Sequence, residues 1–329
     1  MHASGGRHFL QIATRLTAFA VAFAPAYAWS QNYPAKAVRL VLPYSPGANA
    51  DIIARIVSQG VAPLWGQQMI VDYRPGGATN IGSDFVAKSP ADGYTLLLAA
   101  PPNAINMTLL AKRPYDTLRD FAPIVLCTNI PNVLTIHPSV PAKNLRELIA
   151  LAKARPGQLN FASGGVGAAN HLSGELLKMM AKIDIVHVAY KGSAPAITDA
   201  VGGHVEMLFT GVSSVAPLIE AGKLRGIAAG SAKRLPIIPG IPTFAEAGFP
   251  GNETSVWFGL MAPTGTPADV VARINTDVNR VLSAQDVRER LVAWGQEPGG
   301  GSAGDFGQFV RNEIEKYGKV IRAAGLKAE

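Results

Sequence analysis

The chain of 329 residues holds a single cysteine, Cys127, so no internal disulfide can brace it and its stability must rest on burial of a core. Cys127 lies in the apolar run APIVLCT, where a thiol serves as a small hydrophobe. Charge is scarce too: 16% of residues are charged against 48% hydrophobic, a globular composition that excludes a disordered chain. The formal net charge is +7, yet lysines and arginines are scattered singly, and no basic block suited to nucleic acid is present. A diffuse basic excess suits small acidic ligands or plain solubility. Metal chemistry lacks its residues, since none of the six histidines pair at i,i+4, HExxH is missing, and no second cysteine exists. A G-x-S-x-G nucleophile elbow and paired catalytic carboxylates are also missing. Nothing calls for a cofactor.

What the sequence does have begins at its N-terminus. Arg7, His8 and Arg15 precede LTAFAVAFAPAYA, which ends in the small-x-small triplet Ala26-Tyr27-Ala28. This order predicts a secretory signal over residues 1–28, removed on export to the periplasm. The apolar run is too short for a membrane anchor and contains Pro25, and no cysteine lies near for lipid attachment. Removing Arg7 and Arg15 lowers the charge from +7 to +5. No later stretch is long enough to span a membrane.

Ten short apolar runs predict strands at 38–44, 68–73, 94–100, 122–128, 132–138, 159–163, 184–190, 205–211, 224–230 and 256–263. Helical patterns separate them, which indicates an α/β protein with mainly parallel sheets flanked by helices. Asn144 and Glu147 read as N-cap and N3 of one helix, and Thr266, Pro267 and Asp269 open another. A third helix near the C-terminus ends at Gly325. Proline and glycine cluster at 128–141 and 233–251, which places two domain crossovers there. The expected organisation is domain 1 from 29–130 with 253–329, domain 2 from 131–252, and a ligand cleft between them beyond the strand ends.

The segment FASGGVGAANH at 161–171 is a glycine-rich strand-to-helix turn that offers backbone N–H groups to an anion. It lacks the third glycine of a dinucleotide loop and the Gly-Lys-Ser/Thr of a phosphate loop. Gly164, Gly165 and Gly167 allow close backbone approach, and His171 is the histidine expected to reach a ligand. His187 and His204 read as structural. A similar turn, PYSPGANADIIARIV, contains Tyr44, Ser45, Gly47, Ala48, Asn49 and Asp51. Two such loops in different domains would grip one anion from both sides. Asn103 and Asn106 in PPNAINM and Tyr190, Lys191 and Ser193 in AYKGSAP add polar groups at further strand ends. The glycines of RPGGATNIGSD read as turn residues.

From about Tyr33 to Glu329 the chain resembles the periplasmic solute-binding proteins of tripartite tricarboxylate transporters, the Bug (Bordetella uptake gene) family. The stretches that carry the resemblance include YPAKAVRLVLPYSPG, YRPGGATNIGSDFVAKSPADGYTLLLA, VHVAYKGSAPAITDAVGGHVEMLF and WFGLMAPTGTP. The resemblance implies a two-domain periplasmic-binding-protein-like fold closing on a small carboxylate. It assigns ligand contacts to Tyr44, Ser45, Gly47, Ala48, Asn49, Asp51, Asn103, Ser163, Gly165, Val166, Gly167, His171, Tyr190 and Thr210. Ala48 stands where the family has its second loop glycine, and Thr210 where many members carry an aspartate. Without that carboxylate an ammonium group has no anionic partner, so a mono- or dicarboxylate without an amine is expected, aromatic acids included.

The expected function is therefore a monomeric carboxylate-binding protein that performs no chemistry and serves membrane transporter subunits. Two rival readings are an exported hydrolase using Ser163 and His171, and a ligand sensor presented to a membrane receptor.

Overall fold

The computed structural model describes residues 33–46 and 49–327. The expected signal segment, Gly47 and Ala48 lie outside the described residues. Among the described residues nine strands follow the apolar runs, β1 (Val38–Leu42), β2 (Met69–Tyr73), β3 (Thr95–Ala99), β4 (Phe121–Ile136), β5 (Asn160–Ser163), β6 (Val186–Ala189), β7 (Met207–Gly211), β8 (Arg225–Ala229) and β9 (Ser255–Pro263), and a tenth, β10 (Glu297–Gly300), lies outside those runs. The helices between them are α1 (Asn49–Trp65), α2 (Asn80–Ala87), α3 (Pro101–Leu109), α4 (Thr117–Asp120), α5 (Leu145–Ala154), α6 (Ala169–Ala181), α7 (Ser193–Val201), α8 (Val212–Glu220), α9 (Ala268–Ser283), α10 (Gln285–Ala293) and α11 (Ala303–Ala323). None is long and apolar enough to cross a membrane among the described residues.

The strands form one mixed, continuous sheet in the order β2-β1-β3-β9-β4-β7-β5-β6, with β8 and β10 also paired to β4. Its two ends are parallel, as expected: β1 pairs with β2 and β3, and β5 with β6 and β7. Its centre is antiparallel, because β9 returns beside both β3 and β4. The runs expected at 122–128 and 132–138 fuse into the single strand β4. Its residues 121–131 pair with β9, and its residues 132–136 pair with β7 and β8. Pro131 stands at that change of partners, where a missing N–H is tolerated. Just beyond it the Asn132 N–H donates to Thr254 O at 2.9 Å, and the Gly230 N–H donates to Asn132 O at 2.7 Å. Two α/β halves are thus joined where β4 leaves one for the other and where the chain returns near Thr254.

Local signals hold the helices in place. The Asn144 side chain accepts from the Glu147 N–H at 3.0 Å, and the Glu147 carboxylate accepts from the Lys143 N–H at 2.7 Å. At the end of α11, Gly325 takes φ +63° and the Leu326 N–H donates to Ile321 O at 3.0 Å, closing a Schellman turn. Buried indoles tie layers together. Trp65 Nε1 donates to Asp277 Oδ2 at 2.8 Å between α1 and α9, and Trp257 Nε1 donates to Glu313 Oε2 at 3.1 Å between β9 and α11. Cys127 is buried in the core, and its thiol is pushed up to about 12 by that burial.

Candidate ligand site

Because β1, β2 and β3 run parallel, residues 43–46, 74–80 and 100–106 leave from one edge of the sheet. The parallel strands β5, β6 and β7 do the same for 163–168, 190–193 and 211–212 in the other half. These two edges carry the loops singled out from the sequence.

The β5–α6 loop is fastened from within. Gly165 and Gly167 take φ +134° and +76°, conformations that favour glycine. The Gly165 N–H donates to Ser163 Oγ at 3.2 Å, the Gly164 N–H to Asn170 Oδ1 at 3.3 Å, and the Gly167 N–H to His171 Nδ1 at 3.1 Å. The Ala168 N–H donates to Gly165 O at 3.2 Å. The amides of Val166, Ala169 and Asn170 have no acceptor among the described residues. Two of these open α6, a 13-residue helix whose N-terminus carries partial positive charge. Val166 is the exposed tip of the loop.

His171 does not stand where the sequence reading placed it. Its ring is buried beneath the loop, 1% exposed, and accepts the Gly167 N–H, so it braces the loop and is not open to a ligand. With Nδ1 accepting, the proton of the neutral ring sits on Nε2, 3.8 Å from Glu175 Oε1. Its partner is the half-buried His187, whose ring stacks on it at 3.8 Å and 20°, with Phe161 packed against both. Burial, and then the neighbouring His187, push His171 down to about 3; burial and then Lys178 push His187 down to about 4. Both rings are neutral at neutral pH. Ser163 Oγ lies 2.6 Å from His187 Nε2, so the Ser163–His171 dyad of the hydrolase reading does not form. The sequence reading set His171 at a ligand and His187 as structural; the two rings instead stack and fasten the loop together.

In the first half, Tyr44 packs edge-to-face on Phe258 at 6.2 Å, and burial pushes its phenol well above the ordinary value. Ser45 is exposed and Asn49 begins α1. The buried Asp51 accepts from Tyr73 OH at 2.6 Å and from Arg55 Nε at 3.1 Å, which fastens α1 to the end of β2. Asn103 is also spent internally. Its Oδ1 accepts the Ala100 N–H at 2.9 Å, and its Nδ2 donates to Ser83 Oγ at 2.9 Å and Tyr115 OH at 3.1 Å. No donor of that amide is left for a ligand, contrary to the sequence expectation.

Four further features bear on the candidate site. Tyr190 OH donates to Asp199 Oδ2 at 2.6 Å, and its phenol is pushed up to about 12 by burial and then by that bond. Thr210 is buried on β7 and its hydroxyl makes no hydrogen bond among the described residues. A polar strip under α6, missed in the sequence, joins it to both crossovers: Asn132 Nδ2 donates to Ser173 Oγ at 3.1 Å, which lies 2.7 Å from Thr254 Oγ1. A second missed feature is the turn Gly76–Thr79, where four successive residues have positive φ, including Ala78 at +50° and Thr79 at +74°. Asn106 Nδ2 steadies it by donating to Ala78 O at 3.1 Å. Among the described residues no three His, Cys, Asp or Glu side chains are grouped to hold a metal.

Two α/β halves with loops gathered at parallel strand ends define a two-domain solute-binding protein of the periplasmic-binding-protein type. The family model TctC, tripartite tricarboxylate transporter family receptor, matches residues 53–326, and the chain belongs to that family. It is 35% identical over 300 residues to Protein BugT of Bordetella pertussis, covering 91% of this chain and 92% of that one. Among solved structures it is similar to Rpa4515 of R. palustris with adipate (38% identity, TM-score 0.77, 90% of this chain and 99% of that one). It is also similar to MatC (Rpa3494) of Rhodopseudomonas palustris with bound malate (30% identity, TM-score 0.74, 88% and 100%). Members of the family are solute-binding proteins, and the family and these neighbours imply a periplasmic location.

Proposed function

We propose that this chain captures a small mono- or dicarboxylate in the periplasm as a monomer and delivers it to the membrane subunits of a tripartite tricarboxylate-type transporter. On this reading residues 1–28 are removed on export, and the lobes are 29–130 with 253–329, and 131–252. The carrying observation is the set of amides at Val166, Ala169 and Asn170 that have no acceptor among the described residues, at a helix N-terminus whose partial charge favours an anion. On the same reading Gly47, Ala48 and Asn49 are further ligand contacts, and Ser45 and Thr210 add hydroxyls. Asp51, Asn103, Ser163, His171 and Tyr190 shape and fasten the loops that present these groups. Adipate and malate in the relatives' structures support the carboxylate class. Thr210 is neutral, which suits an acid without an amine. Mass spectrometry of small molecules released on denaturing the purified protein tests the reading. A carboxylic acid is the expected cargo, and a sugar or amine would contradict it.

A further inference from the structure

The glycine loop touches the opposite half of the molecule at one tight point. A Cβ on Gly167 would stand 2.4 Å from Leu109 Cδ2 and 3.8 Å from its Cγ. Leu109 is the last residue of α3, in the half that carries the β1–α1 loop, and it is buried. It belongs to an apolar cluster in which Ala104 and Ile105 of α3 meet Ala169, Leu172 and Leu176 of α6. One turn along α6 from Ala169, about 6 Å by helical rise, Ser173 is bonded to the crossover residues Asn132 and Thr254. The loop end of α6 thus rests on Leu109 while its next turn is fixed at the crossovers. Any rotation of one half against the other about those crossovers changes the Leu109–Gly167 contact.

We infer that Leu109 is a positioning residue for the ligand loop: its methyl groups fill the hollow left by Gly167 and hold the loop in its ligand-binding position. The inference rests on the carboxylate-binding reading above. It explains Gly167 twice, since φ +76° and the absence of a Cβ are both needed there. It also gives Leu109 a share in ligand affinity without contact to the ligand, because a contact that favours the loop's binding-competent position raises the population of that form.

The test is a double-mutant cycle read by calorimetric titration with adipate, at a temperature where every variant is folded. Leu109→Ala is expected to weaken adipate about tenfold and to speed its release, the scale of a lost buried contact. Leu109→Met, which keeps the volume, restores most of the affinity. Gly167→Ala weakens binding by more than tenfold through the clash with Leu109, and adding Leu109→Ala to it recovers part of that loss. Two penalties that simply multiply in the double variant would overturn the inference. So would Leu109→Ala that lowers the thermal midpoint but leaves adipate affinity unchanged. The same cycle is read without ligand by small-angle scattering, where Leu109→Ala is expected to expand the chain and an unchanged profile counts against the contact. Failure of adipate to bind the unaltered protein would defeat the adipate reading while leaving the scattering comparison decisive.

Discussion

His171 and His187 lie ring on ring, 3.8 Å apart, between Phe161 and the loop they fasten. One accepts the Gly167 N–H and the other meets Ser163 Oγ, so each holds one end of the turn that presents Val166. The pair works as a brace because both rings are neutral. A proton on His171 Nδ1 would abolish its acceptor, and two imidazolium ions at this distance would repel.

Acid should therefore loosen the fold. The unfolded histidines take up protons near the ordinary value of about 6.5, while the folded ones wait until about 4 and about 3. Between those limits the unfolded state binds more protons, so stability is full above about pH 6.5 and falls as pH drops through the folded values. Proton NMR is expected to show two imidazole resonances that do not titrate between pH 7 and pH 5. Two resonances moving with ordinary midpoints would contradict the buried, neutral stack.

Gly174 sits over the same ring system: a Cβ there would stand 2.2 Å from Phe161 Cε2. Gly174→Ala is expected to cost roughly 1–3 kcal/mol by overpacking, read as a lowered urea midpoint with an unchanged slope. The displaced Phe161 should also disturb the stacked rings, visible as shifted imidazole resonances.

Asp51 anchors α1 through Tyr73 and Arg55. Tyr73→Phe is expected to cost about 1 kcal/mol, the value of such a bond discounted for its partly exposed position. The loss should appear in denaturant titration, with Asp51→Ala larger than Tyr73→Phe. Equal midpoints for Tyr73→Phe and the unaltered protein would show that this bond does not fasten the helix.

Much of this fold was legible because burial leaves apolar runs. Ten predicted strands are present, two of them fused through Pro131, which reads as a break and is tolerated only because β4 changes partners there. The strand Glu297–Gly300 was illegible: its sequence, EPGG, has no strand propensity. It is held by pairing with β4, where a Cβ on Gly299 would come within 2.2 Å of Leu126 O. The strand-to-helix turns of the candidate site were legible from glycine spacing, but the partners of their side chains were not. Whether His171, Asn103 or Asp51 faces a ligand depends on partners 4 to 22 residues away in sequence, brought together only by packing.

Thr210 offers a test of ligand class. Thr210→Asp places a carboxylate at a position that is 2% exposed, where it should repel an anionic ligand. Adipate binding is expected to weaken more than tenfold by calorimetry. Unchanged affinity would remove Thr210 from the site.

The most direct measurement is calorimetric titration of the purified protein with adipate and malate, beside a neutral sugar and an aliphatic amine of similar size. Carboxylate capture by paired backbone amides predicts saturable heat with at least one acid, none with the sugar or the amine, and no product formed from the bound acid. Saturation by the sugar or the amine alone would contradict it.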